Sequence, residues 1–315
     1  MTIPMDPAGA GDGGARPTRL DPLAVRRLLR DQGLRARHGL SQNFLADPDV
    51  LDAILAEAAA RPGDSILEIG PGLGILTGGL VAAGAGVTAV ELDRRLAALL
   101  RARFADLVDA GDDCAPAPGR LRLVEGDALD QDLPALVPPP YFVVANLPYH
   151  ITSPILHRLL GAAPKPERMV LMVQLEVAER LAAPPGRMSY LSVFVQYHAR
   201  VRIARRVPAA AFEPAPAVES ALIVVEPRRP GSAAPIHDPA TAAAEERLWA
   251  LVQAGFRERR KMVHNVLTRQ LALPPNVVAA ALDAAGIAPD RRPQTLSVDE
   301  WQVLRAALDG PPDHD

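Results

Sequence analysis

Before residue 200, short apolar segments alternate with amphipathic ones. Short apolar runs bounded by glycine, proline or charged residues are typical of buried strands. Such runs predict strands at residues 65–69, 86–91, 121–125, 141–145 and 168–174. Helical spacing between the runs predicts helices at residues 48–60 (with Asp47 as N-cap and Pro48 at the first position), 75–83, 93–103 and 152–160. This alternation predicts a parallel sheet with helices on both faces.

The pattern differs on either side of this region. Residues 1–18 are rich in glycine and proline and lack the apolar segment of a secretion signal, so we expect a disordered extension. Residues 21–37 have the spacing of a basic amphipathic helix. Residues 200–207 and 218–226 predict two consecutive strands, an antiparallel pair appended to the sheet.

Beyond these strands the chain is predicted to be helical only. Residues 227–239 (PRRPGSAAPIHDP) have the composition of a linker. The helices predicted after the linker are at residues 241–270, 275–286 and 297–308. We therefore expect one domain over residues 19–227 and a small helical domain over residues 240–315.

The composition, with 49% hydrophobic and 23% charged residues, is that of an ordinary globular protein. The single Cys114 excludes a disulfide framework and a cysteine-based metal site, and is typical of the reducing cytoplasm, the location we expect. The uncharged segment 69–90 is long enough to span a bilayer, but its glycines and Pro71 predict a loop, a helix and a strand. We therefore expect no association with a membrane.

Positive charge is unevenly distributed, although the net charge is −3. Arginines are concentrated at residues 16–37, 200–206 and 257–261. Any one of these runs is as consistent with a solvated helix face as with a binding surface. Three runs on an acidic chain favour a polyanionic partner.

Three glycines, Gly70, Gly72 and Gly74, follow the strand predicted at 65–69. A turn of this kind lets the backbone approach a nucleotide-like ligand, although dehydrogenases carry similar turns. The spacing differs from the dinucleotide fingerprint, and the acidic Glu68 is unfavourable beside a pyrophosphate. An NAD dehydrogenase is therefore the weakest alternative.

Acidic residues follow or end the next two predicted strands. Glu91 ends the strand at 86–91, where a carboxylate can accept both ribose hydroxyls of a nucleoside. Asp127 follows the strand at 121–125, where it can accept the exocyclic amine of an adenine. Asp93, by contrast, is better explained as a helix N-cap. Glu91 and Asp127 form an ordered series with Gly70 at the carboxyl edge of the sheet, which favours a ligand site.

Residues 146–149 (NLPY) follow the strand predicted at 141–145. They place the amide of Asn146, main-chain carbonyls and the ring of Tyr149 at the same edge of the sheet. Such groups can hold a flat base and accept hydrogen bonds from its exocyclic amine. The segment therefore suggests methylation of an amino group on a nucleobase.

Together these motifs resemble the class I S-adenosylmethionine-dependent methyltransferases, and NLPY narrows the resemblance to the rRNA adenine N6,N6-dimethyltransferases. Leu147 favours the bacterial small-subunit dimethyladenosine transferases, because the macrolide-resistance enzymes usually carry Ile there. The chain departs from the family pattern at two places. Ser41 stands where the family usually has Gly, which could alter a turn. Residues 188–189 are Met-Ser where the family usually has Tyr-Gly, which could alter a loop near the RNA. The resemblance covers roughly residues 35–310, with further motifs in order at residues 41–45, 174–181, 212–220 and 256–261.

The resemblance implies a Rossmann-like seven-stranded sheet of the α/β class, followed by a small C-terminal all-helical domain. It implies S-adenosylmethionine as methyl donor, without a metal. The residues implied to bind it are Asn43, Leu45, Gly70, Glu91, Asp127 and Asn146. Asn146, Tyr149 and Phe212 are implied to be catalytic, with both rings stacked on the target base; core packing is the alternative for Phe212.

The implied activity is dimethylation of two adjacent adenosines in small-subunit (16S) rRNA, on immature 30S subunits and by a monomer. A macrolide-resistance-type methyltransferase of large-subunit rRNA has the same chemistry and remains an alternative. A non-catalytic RNA-binding ribosome-assembly factor is another, which the intact Glu91, Asp127, Asn146 and Tyr149 disfavour.

Overall fold

The computed structural model describes residues 21–34, 42–109, 116–228, 239–258 and 260–310. The expected extension at 1–18, Ser41, Cys114, Arg259 and most of the predicted linker lie outside these residues. The strands are β1 (Phe44–Leu45), β2 (Ser65–Ile69), β3 (Gly86–Glu91), β4 (Leu121–Glu125), β5 (Tyr141–Asn146), β6 (Arg168–Gln174), β7 (Ala199–Val207), β8 (Phe212–Glu213) and β9 (Ser220–Pro227).

Eleven helices accompany these strands in the described residues. They are α1 (Pro22–Asp31), α2 (Pro48–Ala58), α3 (Ile75–Ala82), α4 (Arg94–Arg103), α5 (Thr152–Gly161), α6 (Leu175–Leu181), α7 (Tyr190–His198), α8 (Pro239–Phe256), α9 (Val263–Gln270), α10 (Pro275–Ala284) and α11 (Val298–Asp309). None of the described helices is both long and apolar enough to cross a membrane.

The main sheet has seven strands in the order β4-β3-β2-β5-β6-β9-β7, which confirms the predicted Rossmann-like fold. The pairs β2–β3, β2–β5, β3–β4 and β5–β6 are parallel. Because β2 lies between β3 and β5, the chain winds in opposite directions on its two sides. A crevice is expected at the carboxyl ends of strands at such a switch point.

Strand β9 runs opposite to both of its neighbours, β6 and β7. The amide of Leu175 donates to the carbonyl of Glu219 (3.0 Å), so β9 begins where β6 ends. The amide of Arg228 donates to the carbonyl of His198 (2.8 Å), so β9 ends where β7 begins. The predicted antiparallel pair is therefore present, and its second strand, β9, lies between β6 and β7.

The described residues form two compact units, and the first comprises those up to Ile155 together with Pro166–Leu175 and Ala204–Val224. Its core includes the fully buried Leu80, Val87 and Leu100. As the sequence predicts, Asp47 caps α2 by accepting hydrogen bonds from the next helical amides, with Pro48 at the first position.

The second unit comprises Leu156–Lys165, Glu176–Ile203 and the chain from Val225 onward. Its core surrounds Trp301, which is completely buried. The first two of these segments lie inside the range expected for the first domain, and the second of them contains α7 and most of α6, which were not predicted. Ser189, one of the departures from the family pattern, has a clear role here: its side chain and that of Ser192 form a capping box at the start of α7.

The prediction of one helix over residues 241–270 is wrong. Helix α8 ends at Phe256 and α9 begins at Val263, with a turn between them. An ion pair between Arg269 and Glu258 (3.1 Å) closes the turn. Because the chain reverses there, Leu251 and Leu267 are buried in the same core, which a single straight helix would prevent.

Candidate active site

A cavity lies at the carboxyl edge of the parallel strands β2, β3, β4 and β5, where the switch point places it. It is built entirely from residues of the first unit. The predicted site residues that line it are Asn43, Leu45, Gly70, Glu91, Asp127, Asn146 and Tyr149. The structure therefore brings together residues separated by about a hundred positions in sequence.

The glycine turn after β2 forms one wall of the cavity. Gly70 has φ 70° and Gly74 has φ 75°, conformations that residues with a side chain rarely adopt. A Cβ at Gly74 would also lie 2.6 Å from the ring of Phe104 and 2.7 Å from Leu100. The turn is therefore fixed both by backbone conformation and by packing against α4.

Glu91 is buried at the end of β3, with its carboxylate directed along the turn. One oxygen (Oε2) accepts a hydrogen bond from the amide of Gly72 (3.0 Å), and the other (Oε1) accepts one from Asp93 (2.9 Å). Burial raises the pKa of Glu91. Because each carboxylate oxygen can accept a second hydrogen bond, Glu91 has the capacity to bind two hydroxyl groups.

Glu68 is a second buried carboxyl in the cavity wall and was not predicted as a site residue. Thr77 donates a hydrogen bond to it (2.7 Å), linking β2 to α3. Burial, with a smaller contribution from the nearby Glu91, raises the pKa of Glu68 to about 8, although the hydrogen bond from Thr77 opposes the rise. Glu68 is therefore largely neutral at pH 7, so it does not place the negative charge there that its residue type suggested.

Asp127 and Leu92 line the part of the cavity next to β4. The side chain of Asp127 accepts a hydrogen bond from the amide of Leu129 (2.8 Å), which orients the carboxylate. Leu92 is 47% exposed, which is unusual for a large apolar side chain beside a buried acid. It can cover the face of a planar ring, and sequence reasoning missed it because leucine normally signals a core position.

Asp93 is the N-cap of α4, as predicted: it accepts a hydrogen bond from the amide of Arg95 (3.0 Å). The guanidinium of Arg95 also bonds to it, which lowers the pKa of Asp93 to about 2. In addition, Asp93 accepts a hydrogen bond from the side chain of Gln42 (3.3 Å). The same carboxylate therefore anchors the segment that leads into β1.

Asn146 connects the end of β5 to that segment. Its Nδ2 donates to the carbonyl of Asn43 (3.1 Å), so its Oδ1 is the acceptor end of the side chain. The strand that follows Asn43 is β1, which pairs antiparallel with β8, Leu45 opposite Phe212. Gln42, Asn43 and β1 line the cavity, and this segment is held there by the hydrogen bonds to Asp93 and from Asn146.

The two predicted stacking residues differ in position. Tyr149 lines the cavity, is half-buried, and its hydroxyl lies 2.8 Å from Oγ of Ser220. Phe212 is only 2% exposed, packs in the core of the first unit, and is not among the residues that line the cavity. The contacts of Phe212 are those of a core residue, and its stacking on a base stays a prediction.

The described residues contain no group of His, Cys, Asp or Glu placed to hold a metal ion. The polar groups of the cavity are instead carboxylates, an amide and main-chain groups. This set suits the hydroxyls, amines and flat rings of a nucleoside better than a phosphate, since the acids would repel an anion.

The chain matches the family model for ribosomal RNA adenine dimethylase over residues 33–308. It is 42% identical to the ribosomal RNA small subunit methyltransferase A of Anaeromyxobacter sp. (strain K), over 90% of this chain and 97% of that protein. It is 41% identical to the protein of the same name from Synechococcus elongatus, over 88% of this chain and 97% of that protein.

Solved structures agree with this match. The crystal structure of the 23S rRNA methyltransferase ErmE has a TM-score of 0.64 and 31% identity, with 85% of this chain and all of that chain covered. A dimethyladenosine transferase from Plasmodium falciparum has a TM-score of 0.66 at 24% identity, with 83% of this chain and 95% of that chain covered, and supports the fold.

Proposed function

Because this chain belongs to the ribosomal RNA adenine dimethylase family, it is an S-adenosylmethionine-dependent rRNA adenine dimethyltransferase, and we propose that it modifies two adjacent adenosines of 16S rRNA. The choice of the small subunit is supported by relatives at 36–42% identity that are named small-subunit methyltransferases. One observation supports the assignment of the site most strongly: Glu91, Asp127 and the NLPY segment line the same cavity.

The residues of the cavity fit S-adenosylmethionine, which supplies an electrophilic methyl group when bound. Glu91 accepts the ribose hydroxyls, since each of its oxygens has one hydrogen-bonding position beyond those occupied by main-chain amides. Asp127 accepts the adenine amine, and Gly70 allows close approach of the backbone. Asn43 and Leu45, which line the cavity, cover the methionine end.

Asn146 and the carbonyls that follow it act on the target amine. The lone pair of an adenine amine is delocalised into the ring, so the nitrogen must become tetrahedral before it can attack a methyl group. Oδ1 of Asn146 and a carbonyl of Leu147 or Pro148 accept one hydrogen bond each from the two N–H groups of the amine and favour that geometry. The anchoring of Nδ2 on Asn43 directs Oδ1 towards this role. The contribution is positioning and electrostatic stabilisation, not general-base catalysis.

Tyr149 stacks on the adenine after it has left the RNA helix. Unstacking a base costs a few kcal/mol, and stacking on an aromatic ring offsets ~1–3 kcal/mol of that cost. The half-buried ring of Tyr149 lies in the cavity wall beside Asn146. Phe212 supplies a second ring only if β8 moves, since its side chain is buried.

The basic residues contact RNA phosphates. Arg260 and Lys261 are exposed in the turn between α8 and α9, within the C-terminal helical domain that we propose contacts RNA. Arg200, Arg202 and Arg205 are exposed on β7, a strand at the edge of the sheet. Recognition by charge and shape is appropriate, because duplex RNA offers little sequence information in its deep groove.

Modification of large-subunit rRNA is the second candidate, favoured by the 31% identity to the 23S rRNA methyltransferase ErmE. We give the small subunit preference because the identity to the small-subunit relatives is higher and because Leu147 matches that group. We further propose that the substrate is an immature 30S subunit, that the enzyme acts as a monomer, and that it works in the cytoplasm.

Mass spectrometry of rRNA from a strain that lacks the gene tests this proposal. We expect two adjacent N6,N6-dimethyladenosines to be absent from 16S rRNA and restored by the wild-type gene. A missing modification in 23S rRNA would favour the second candidate, and unchanged modification of both rRNAs would refute the proposal.

A further inference from the structure

The side chain of Tyr149 is restrained both where it joins the main chain and at its hydroxyl group. Its main chain lies in a short 3-10 turn, Tyr149–Ile151, that directly follows Pro148. Its hydroxyl lies 2.8 Å from Oγ of Ser220, which is completely buried. Breaking a hydrogen bond to a buried hydroxyl leaves that hydroxyl without a partner, which is costly, so the bond restrains the ring.

Both ends of this arrangement are attached at the carboxyl end of β6, one to the strand and one to the residue that follows it. The amide of Leu147, two residues before the tyrosine, donates to the carbonyl of Met172 (3.2 Å). The amide of Leu175 donates to the carbonyl of Glu219, the residue before Ser220 (3.0 Å). The NLPY segment and the start of β9 are therefore held side by side at the end of β6, by Met172 of the strand and by Leu175, the first residue of α6.

A restrained ring matters most in the second of two methyl transfers to one nitrogen. The unmodified amine has two N–H groups, and Asn146 and a neighbouring carbonyl can each accept a hydrogen bond from one of them. After the first transfer only one N–H remains, so one of these contacts is lost. The modified base then depends more on stacking, and hence on the orientation of Tyr149, to be held in line for a further transfer.

We propose that Ser220 is a positioning residue that fixes the ring of Tyr149 and so supports the second methyl transfer to each adenosine. This inference rests on the proposed function, because it requires Tyr149 to stack on the target base. It assigns a role to the last residue of the segment 212–220, which otherwise has none in the mechanism.

The test compares Ser220→Ala, Tyr149→Phe and the double variant in methylation of immature small subunits, with N6-methyladenosine and N6,N6-dimethyladenosine quantified by mass spectrometry. Each single variant removes one partner of the same hydrogen bond. We expect each to lower the rate of the second transfer about 5- to 10-fold, to raise the ratio of monomethyl to dimethyl product, and to leave the KM for S-adenosylmethionine unchanged. The double variant is expected to be no slower than the slower single variant.

Ser192→Ala is the matched control, because Ser192 is also a completely buried serine whose hydroxyl bonds to a carbonyl (Arg180, 2.6 Å), but it belongs to the second unit. It should lower the thermal stability without changing the product ratio. If Ser220→Ala does not fold, the product ratio of Tyr149→Phe alone tests the inference, since this substitution leaves no cavity.

A wild-type product ratio in Ser220→Ala or in Tyr149→Phe would overturn the inference. Additive effects of the two substitutions would also overturn it, because they would show that the residues act separately. If the wild-type protein transfers no methyl group at all, the proposed function fails instead.

Discussion

Replacement of Glu91 by alanine is expected to weaken binding of S-adenosylmethionine and of S-adenosylhomocysteine. Glu91 is only 6% exposed, and its carboxylate already accepts one hydrogen bond at each oxygen, from the amides of Gly72 and Asp93. The alanine variant would lose the proposed bonds to the ribose and would also leave two main-chain amides without this partner.

The magnitude follows from the charge and the burial of this acceptor. A hydrogen bond to a charged group typically contributes about 1.5–3 kcal/mol, and part of the loss is recovered if water enters the space left by the side chain. We therefore expect affinity to fall by about 1–3 kcal/mol, or roughly 5- to 150-fold. Glu91→Gln should lie between the wild type and Glu91→Ala, because it retains one acceptor oxygen.

Isothermal titration calorimetry with S-adenosylhomocysteine measures this effect. Glu125→Gln is the matched control: Glu125 ends β4 directly opposite Glu91, but it pairs with Arg101 and does not line the cavity. Its affinity should equal that of the wild type.

The affinity of the wild type should also fall as the pH is lowered through the raised pKa of Glu91, since protonation removes the charged acceptor. This decline should be absent in the alanine variant. Unchanged affinity in a folded Glu91→Ala protein would remove Glu91 from the site.

Two further outcomes concern Glu68 and the basic turn. In the folded state Glu68 keeps its proton up to about pH 8, whereas in the unfolded chain it ionises near pH 4.5, so its contribution to stability is lost as the pH rises between these values. Thermal melts from pH 5 to 8 should therefore show Glu68→Gln gaining stability relative to the wild type as the pH rises, and parallel curves would contradict this. Neutralising Arg260 and Lys261, together with Arg259 of the same run, should flatten the dependence of log affinity for RNA on log salt by roughly 0.7–0.9 per lost contact. An unaltered slope would mean that the turn is only solvated.

The parallel strands were predictable because each is short, apolar and bounded by turn residues. Strand β6 begins and ends at the predicted residues, and β5 extends one residue further, to Asn146. The break between α8 and α9 was not predictable from periodicity, because residues 257–262 contain no proline or glycine. Packing around Trp301 and the ion pair of Glu258 with Arg269 determine it.

The site was predictable as far as strand ends carry chemical groups to one edge of a sheet. Glu91, Asp127 and Asn146 all line the cavity for this reason. The properties of Glu68 were not predictable, because its neutral form at pH 7 depends on burial that only the folded chain creates. The bond between Tyr149 and Ser220 depends on the placement of β9 beside β6, a long-range pairing that local sequence does not encode.

Methyl transfer from labelled S-adenosylmethionine to immature small subunits tests the central claim most directly, with wild type and Asn146→Ala compared at saturating methyl donor. Losing the bond from Asn146 to Asn43 is expected to weaken binding of the methyl donor. At saturating donor this weaker binding does not affect the rate, so the rate reports the loss of the acceptor Oδ1. Asn276→Ala, at an exposed position of α10, is the matched control. We expect the wild type and the control to form N6,N6-dimethyladenosine at two adjacent positions. Asn146→Ala should be at least ~100-fold slower, with RNA affinity nearly unchanged because phosphate contacts dominate it. A wild-type rate in Asn146→Ala, or a wild-type protein that binds the RNA without methylating it, would contradict the account.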